Sequence, residues 1–275
     1  MRRDYVSIRN AHRMDPRRRE LYVEGRTDRI FFSWLLNTST GAIVREINLV
    51  DIPCPLQGGQ RARLLWFGEQ IADVSSIECF ADADFDRLLE RESPLGVRLT
   101  DGRDLEHYVL REDCVEKALR LGLLDDSVNA TDLLHSLLRE GRWAGILRLL
   151  SERDGLQLPF QKTTVDRYTS CAKNKIDLQR RPYLQTLLQN AGRSLKELET
   201  LLASIEGLLV DHASTPDSQL VHGKDAMRMF GKWARCMGAQ SNGEGSRLLW
   251  ATFERRFASD YPQLSAALSF LDSAA

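Results

Sequence analysis

RELYVEGRTD, residues 19–28, is the stretch that decides the fold of this chain. Its apolar first half predicts a buried strand, Gly25 allows a tight turn, and apolar clustering from Ile30 to Leu36 then predicts a helix. A strand that runs straight into a helix is typical of sheets with parallel strands, because each helix carries the chain back across the sheet. The sequence therefore indicates an α/β fold.

The same alternation continues to about residue 111. Further strands are predicted over residues 42–50, 76–81 and 96–100, and helices over residues 61–72 and 103–111. Pro53 and Pro55 predict a loop after the second strand. Together these elements predict a Rossmann-like, mostly parallel sheet flanked by helices, with ligands expected at the carboxyl ends of the strands.

From residue 112 to residue 275 the apolar spacing is helical, which predicts an all-helical domain behind an α/β domain of residues 1–111. Its helices are predicted over residues 115–123, 133–138, 146–150 and 194–210, and its loops over residues 211–220 and 240–245. Ser194 and Glu197 form a capping-box pattern at the start of the last helix. The apolar stripe of that helix either packs inside the domain or forms the seam of a homodimer: Leu195, Leu198, Leu202, Ile205 and Leu209.

The charge balance argues against a free-standing nucleic-acid binder. Lys and Arg number 38 against 39 Asp and Glu, for a formal net charge of −1 over 275 residues, whereas such binders often carry a basic excess. Arginines crowd the N-terminus and form either a patch that meets phosphates or a solvated, partly mobile tail: Arg2, Arg3, Arg9, Arg13, Arg17, Arg18 and Arg19. We expect locally sorted charge or a helper protein.

The cysteines predict a reduced, intracellular protein. They are far apart and include no Cys-x-x-Cys pair, so no zinc site is expected: Cys54, Cys79, Cys114, Cys171 and Cys236. No apolar signal segment follows the N-terminal arginines, and no uninterrupted apolar run reaches the ~20 residues that span a bilayer. We expect a soluble, cytoplasmic protein.

Acidic residues follow two of the predicted strands. Glu24 comes after the first, with Asp28 four residues later in the first helical turn, and Asp82, Asp84 and Asp86 come after the strand of residues 76–81. In an extended strand end, a spacing of two would point the last three side chains the same way. Converging carboxylates are the hard oxygen ligands that Mg²⁺ requires. The sequence therefore predicts a metal site at this edge of the sheet.

Other interpretations of the acidic runs compete with a metal site. An EF-hand calcium loop is excluded, because it needs Gly and Glu where this chain has Arg87 and Ser93. Residues 82–86 are also similar to the nucleophile motif of haloacid-dehalogenase-type phosphatases, although that motif normally opens its domain and continues with small or hydroxyl residues. Taken singly, each acid could be a helix cap or a solvated turn residue.

The residues around both acidic runs resemble a known family. LYVEGRTD, residues 21–28, followed by FADADFD, residues 80–86, is similar to the Toprim catalytic core, in which a glutamate after the first strand and an Asp-x-Asp after a later strand hold Mg²⁺. The second acid four residues after the glutamate resembles nucleases of the overcoming-lysogenisation-defect type. LTDGRDLEHY, residues 99–108, and VHGKD, residues 221–225, resemble stand-alone Toprim-like effectors of bacterial phage defence, such as that of the PARIS system.

The resemblance implies that carboxylates hold two metal ions, Mg²⁺ or Mn²⁺. Glu24, Asp28 and Asp82 would bind the first ion, and Asp82, Asp84 and Glu106 the second. Lys224 would approach from the helical domain to neutralise phosphate charge. Glu24, Asp82, Asp84 and Lys224 would then be the catalytic residues of an endonuclease acting on RNA or DNA, with tRNA as the leading target.

Control of such a nuclease would come from outside the chain. Lys224 is followed by Asp225 rather than Ser or Thr, so it is not a Walker lysine, and the sequence contains no ATP-binding loop. The resemblance therefore implies an ABC-type ATPase partner. The alternatives are a catalytically silent Toprim-like module that binds such a partner, and a topoisomerase, for which the chain has little room.

Overall fold

The computed structural model of the chain describes residues 3–36, 41–52, 58–92 and 94–273. Arg2, Pro53, Cys54, Pro55 and Ser93, which enter the sequence-based predictions, lie outside these residues. The chain divides into two compact units. Met1–Leu105 and Glu254–Ala275 form the first, which we call the sheet unit, and Glu106–Phe253 form the second, which we call the helical unit.

This division differs from the one that the sequence predicts. The sheet unit ends at Leu105 rather than at residue 111, and Glu254–Ala275 belong to it rather than to the helical unit. The carboxylate of Asp101 accepts the N–H groups of Gln263 (2.8 Å) and Leu264 (3.1 Å) in the first turn of the C-terminal helix, Pro262–Asp272. Apolar spacing identifies a helix, but it does not show which core the helix packs against.

Parallel strands dominate the sheet unit. Its strands within the described residues are β1 (Arg3–Asp4), β2 (Glu20–Val23), β3 (Ile43–Glu46), β4 (Val50–Asp51), β5 (Ile77–Ala81) and β6 (Val97–Leu99). The main sheet has the order β3-β2-β5-β6, with every neighbouring pair parallel, and β1 pairs in parallel with β4. The strand predicted over residues 42–50 is interrupted by a 3-10 turn, Ile47–Leu49.

Helices flank this sheet, so the predicted α/β class with parallel strands is confirmed. The helices of the unit are α1 (Tyr5–Met14), α2 (Arg26–Leu35), α3 (Gly59–Ile71) and the C-terminal helix, which a 3-10 segment, Arg255–Asp260, precedes. All residues of β2 are buried, as expected for a parallel strand covered on both faces. The core cluster that joins β2, α3 and β5 includes Tyr22, Leu64, Phe67, Ile71, Ile77 and Cys79.

Helix α1 places Tyr5–Met14, a segment that the sequence could also have left as a solvated tail, within the sheet unit. Asp4 caps the helix by accepting a hydrogen bond from the N–H of Ser7 at 3.0 Å. Arg9 and Arg13, which lie one turn apart, both pair with Asp73, at 2.5 and 2.9 Å. Much of the basic charge near the N-terminus is therefore matched by acids of the same unit.

Glu20, the first residue of β2, is a buried carboxylate with many donors. It is fully buried, and its ion-pair or hydrogen-bond partners are Arg3, Arg18, Arg45, His12 and Tyr22. Burial alone would raise the pKa of Glu20, but hydrogen bonds from His12 and Tyr22 and the charge of Arg45 hold that pKa well below its usual value. The charged form of Glu20 therefore stabilises the folded state.

Replacing Glu20 by Gln should lower the free energy of unfolding at neutral pH by about 2–3 kcal/mol, because it removes one charge from a buried network whose arginines are partly solvated. A depressed pKa contributes stability above the unfolded pKa, and this contribution is lost as the pH falls through the folded pKa. The stability that the protein loses at acidic pH should therefore be smaller in Glu20→Gln than in the wild type. Calorimetry at neutral and acidic pH measures both effects, with Glu69→Gln, at an exposed position of α3, as control. Equal melting temperatures for the two variants would contradict the assignment.

The helical unit is built around one long central helix. Its helices within the described residues are α4 (Glu112–Lys117), α5 (Ala130–Arg153), α6 (Arg180–Asn190), α7 (Leu198–Asp211), α8 (Asp217–Leu220), α9 (Gly223–Cys236) and α10 (Asn242–Thr252). A π-helical turn, Ala118–Gly122, follows α4, and 3-10 segments occur at Leu105–Val109, Val165–Tyr168 and Leu195–Glu197. No helix in the described part of the chain is both long and apolar enough to cross a membrane.

Several predicted helices of this unit differ in extent from the observed ones. The helices predicted over residues 133–138 and 146–150 are parts of α5, and the helix predicted over residues 103–111 is only the 3-10 segment Leu105–Val109. The predicted loops of residues 211–220 and 240–245 contain α8 and the start of α10. The capping box of Ser194 and Glu197 is confirmed, and the side chains that α7 buries, packed on α5, are Leu198, Leu201, Ile205 and Leu208.

The prediction of an all-helical domain is wrong, because the helical unit contains a β-hairpin. Strands β7 (Thr169–Ala172) and β8 (Lys175–Leu178) pair in antiparallel fashion, with Thr169 opposite Leu178. Ile176 and Leu178 are buried, whereas Lys175 and Asp177 are exposed. This is the period-two pattern of a half-buried strand, but it is too short to stand out in a helical context.

Helix α5 approaches the end of α8 closely at Gly145. A Cβ added at this position would lie 1.9 Å from the carbonyl oxygen of Leu220.

Gly145→Ala should therefore destabilise the protein by at least about 2 kcal/mol, since the backbone must shift. Gly207→Ala, in α7, meets nothing within 4 Å and should stabilise by about 1 kcal/mol through helix propensity. Thermal unfolding of both variants tests the close approach, and a Gly145→Ala variant as stable as Gly207→Ala would contradict it.

Candidate functional site

The acids after β2 and β5 meet at the same edge of the sheet. Val23 and Phe80 are paired in register on these neighbouring parallel strands, so Glu24 follows β2 next to the end of β5. The N–H of Asp82 donates a hydrogen bond to Oε1 of Glu24 at 3.2 Å. The carboxylate of Glu24 therefore contacts the backbone of a residue 58 positions away in the chain.

Asp28 combines a capping role with a place beside Glu24. Helix α2 begins at Arg26, and Oδ2 of Asp28 accepts the N–H of Gly25 at 3.0 Å, which satisfies a backbone donor at the start of the helix. The charge of Asp28 also acts on the carboxyl group of Glu24. The capping interpretation of Asp28 is confirmed, and its role as a metal ligand stays a prediction.

The Asp82–Asp86 loop is not the extended row of carboxylates that the spacing predicts. Strand β5 ends at Ala81, and Asp84 has a φ of 48°, in the left-handed region that aspartate tolerates better than most residues. The N–H of Asp84 donates to the carbonyl of Arg103 at 2.7 Å, and Oδ1 of Asp82 accepts the N–H of Leu105 at 3.0 Å. The segment after β6 therefore holds the backbone of Asp84 and the side chain of Asp82.

Arg61, in the first turns of α3, is a site residue that the sequence did not reveal. Its Nε donates to the carbonyl of Asp82 at 3.1 Å and lies 3.3 Å from Oδ2 of Asp84. A terminal nitrogen of the same guanidinium donates to Oδ2 of Asp86, and Oδ1 of Asp86 pairs with Arg91 at 3.2 Å. Asp86 is buried and serves as an anchor for these arginines.

The carboxyl group of Glu24 is electrostatically strained. Burial raises the pKa of Glu24 to about 7, and the charges of Asp28 and Asp84 add to this effect. The N–H of Asp82 and the charge of Arg61 act in the opposite direction but do not cancel it. Strongly shifted pKa values of this kind, produced by burial and like charges together, are typical of functional sites.

The chemistry of the acidic side chains at this edge of the sheet suits a hard divalent cation. Glu24, Asp28, Asp82 and Asp84 offer only carboxylate oxygens, the ligands that Mg²⁺ and Mn²⁺ prefer. Among the described residues, however, no group of three His, Cys, Asp or Glu side chains is arranged to hold a metal ion. Hydrogen bonds or ion pairs within the protein already use one oxygen of each of these carboxylates.

The other residues implied by the resemblance, Glu106 and Lys224, belong to the helical unit. Glu106 is buried in the 3-10 segment Leu105–Val109. Lys224 is exposed in the first turn of α9, whose N-cap is His222. Its neighbour Asp225 is buried and receives two hydrogen bonds from Arg148, at 2.6 and 2.9 Å, which fixes the start of α9 within this unit.

Comparisons with known proteins leave the family of the chain open. No protein-family model matches it, and a search of curated proteins finds no relative.

Glu24→Gln should change the pH dependence of stability in the metal-free protein. A carboxyl group whose pKa is raised by folding contributes stability that is present below its unfolded pKa and is lost as the pH rises through its folded value of about 7. The amide cannot ionise, so above pH 8 the variant should be more stable than the wild type by about 1–2 kcal/mol. Thermal melts with a chelator, on both sides of neutral pH, measure this difference. A wild-type protein that gains stability with rising pH relative to Glu24→Gln would rule the interpretation out.

Proposed function

We propose that this chain is a metal-dependent nuclease with a Toprim-like sheet unit. The observation that carries the proposal is the 3.2 Å hydrogen bond from the N–H of Asp82 to Glu24. Through it, a glutamate after one strand meets an Asp-x-Asp after the neighbouring parallel strand. This supports the Toprim resemblance, because Toprim domains carry their glutamate and their Asp-x-Asp after separate strands and use them for Mg²⁺.

The cation would be held by Glu24, Asp28, Asp82 and Asp84, with Glu106 added on the resemblance alone. When bound, Mg²⁺ or Mn²⁺ supplies an acidified water molecule and a positive charge beside the phosphate. The protein's own contribution is to hold the carboxylates. The N–H of Leu105 orients Asp82, and Thr100 fixes the loop by accepting the N–H of Ala83 at 2.9 Å.

The substrate would be RNA or DNA, with tRNA as the first candidate. A net charge of −1 and N-terminal arginines that are engaged with acids give the chain a weak electrostatic hold on nucleic acid. Such binding is sensitive to salt, which suits an effector that stays quiet until it is triggered. We therefore propose a cytoplasmic effector of phage defence under the control of an ABC-type ATPase partner, with Lys224 binding a substrate phosphate.

Two alternatives remain, and they make different demands on Asp82. A haloacid-dehalogenase-like phosphatase needs Asp82 as a nucleophile and should release phosphate from monoesters. A catalytically silent Toprim-like module would bind the ATPase partner without cleaving any substrate. The raised pKa of Glu24 favours the nuclease over the silent module, because a site that only binds a protein has no need of such a carboxyl group.

Cleavage assays on the purified full chain, with and without the partner, test the proposal. The panel should contain tRNA, single-stranded RNA, duplex DNA and a small phosphate monoester, each with Mg²⁺, Mn²⁺ or a chelator. We expect metal-dependent cleavage of a nucleic acid that falls at least about 100-fold in Glu24→Gln and Asp82→Asn, because charge stabilisation at phosphorus accounts for losses of this size. Glu69→Gln, away from the cluster, should cleave like the wild type.

The outcomes separate the candidates. Hydrolysis of the monoester alone would favour the phosphatase. Inactivity under all conditions, combined with tight binding of the ATPase, would favour the silent module. Cleavage that survives in the chelator or in Asp82→Asn would contradict the proposed function.

A further inference from the structure

We infer that Arg61 is the internal counter-ion of the acidic cluster and that a divalent cation must displace it from Asp84 in order to bind. This inference rests on the proposed function, since it concerns regulation of the same site. It assigns a role to a residue outside the acidic motifs. It also explains why the carboxylates lie together without forming an assembled set of ligands.

The contacts of Arg61 place its positive charge among the acids of the loop. Its Nε lies 3.3 Å from Oδ2 of Asp84 and donates to the carbonyl of Asp82. Its side chain is only 22% exposed, so solvent screens these interactions incompletely. A cation that binds Oδ2 of Asp84 therefore competes with the guanidinium for that oxygen.

Asp86 gives Arg61 a second partner that a metal ion would not remove. The guanidinium binds Oδ2 of Asp86, whose side chain is 8% exposed, while Arg91 binds the other oxygen at 3.2 Å. When a cation takes Asp84, Arg61 can remain on Asp86 and on the carbonyl of Asp82. The Arg61–Asp86 pair therefore lowers the cost of releasing Asp84, and the two residues together set the affinity of the site.

This arrangement predicts that substitutions of Arg61 and of Asp86 change the affinity for Mn²⁺ in opposite directions. Arg61→Gln removes the competing charge, so Mn²⁺ should bind about tenfold more tightly, the scale expected for one charge a few ångströms from the ion in a partly solvated site. Asp86→Asn removes the second partner, so Arg61 stays on Asp84 and Mn²⁺ should bind more weakly than to the wild type. In the double variant, affinity should return to that of Arg61→Gln, because Asp86 acts through Arg61.

The experiment is a titration of the full chain with Mn²⁺, followed by calorimetry and by paramagnetic resonance of free Mn²⁺, without nucleic acid. Arg63→Gln is the matched control, because Arg63 lies on the same helix and donates to a backbone carbonyl, that of Val50, at 2.8 Å. It removes the same charge and should leave affinity nearly unchanged. Thermal melts verify that each variant is folded.

Unchanged or weaker Mn²⁺ binding by a folded Arg61→Gln overturns the inference, as does the same gain in Arg63→Gln. If Arg61→Gln does not fold, Asp86→Asn decides, and affinity equal to or above the wild type overturns it. Failure of the proposed function has a different signature. In that case the wild type binds no Mn²⁺ at millimolar concentration, or Glu24→Gln binds it as well as the wild type does.

Discussion

The parallel pairing of β2 with β5 is the constraint on which the candidate site depends. Its register sets Val23 against Phe80, so that both strands deliver an acidic residue at the same edge of the sheet. A slip of one residue would turn every side chain of the buried strand β2 to the opposite face and out of its present packing. The position of Glu24 is thus a consequence of core packing several ångströms away.

The glutamates at the two ends of β2 have pKa values that are shifted in opposite directions. Glu20, at the amino end, is surrounded by arginines, and its pKa lies below the usual range. Glu24, directly after the carboxyl end, is partly buried beside other acidic residues, and its pKa is raised to about 7. The first arrangement stabilises the fold. The second destabilises it, and this is what a site for a positively charged ligand requires, since the ligand relieves the repulsion when it binds.

Short-range sequence patterns predicted those elements whose formation depends on neighbouring residues in the chain. The strand, turn and helix around Gly25, the strand before Asp82 and the capping box of Ser194 all follow from short-range spacing. Convergence of Glu24 with Asp82 followed from a general rule about parallel sheets. The hairpin around Asn174 and the return of the C-terminal helix depend on long-range packing, which single-sequence periodicity does not report.

The role of Arg61 was hidden for a related reason. In the sequence it is only the first residue of a predicted helix, and nothing nearby marks it as a partner of acids that lie more than 20 positions away. The left-handed backbone at Asp84 was hidden as well, because the spacing of Asp82, Asp84 and Asp86 fits an extended strand equally well. Both features depend on how α3 and the segment after β6 pack around the end of β5.

The central claim is that acids from separate strand ends share one cation. A crystal of the full chain soaked in Mn²⁺ tests this claim directly, because anomalous scattering locates the ion without reference to activity. We predict a peak about 2.1–2.3 Å from carboxylate oxygens of both Glu24 and Asp82. A fully soaked crystal with no peak at these residues, or with its strongest peak at acids elsewhere in the chain, would contradict the claim.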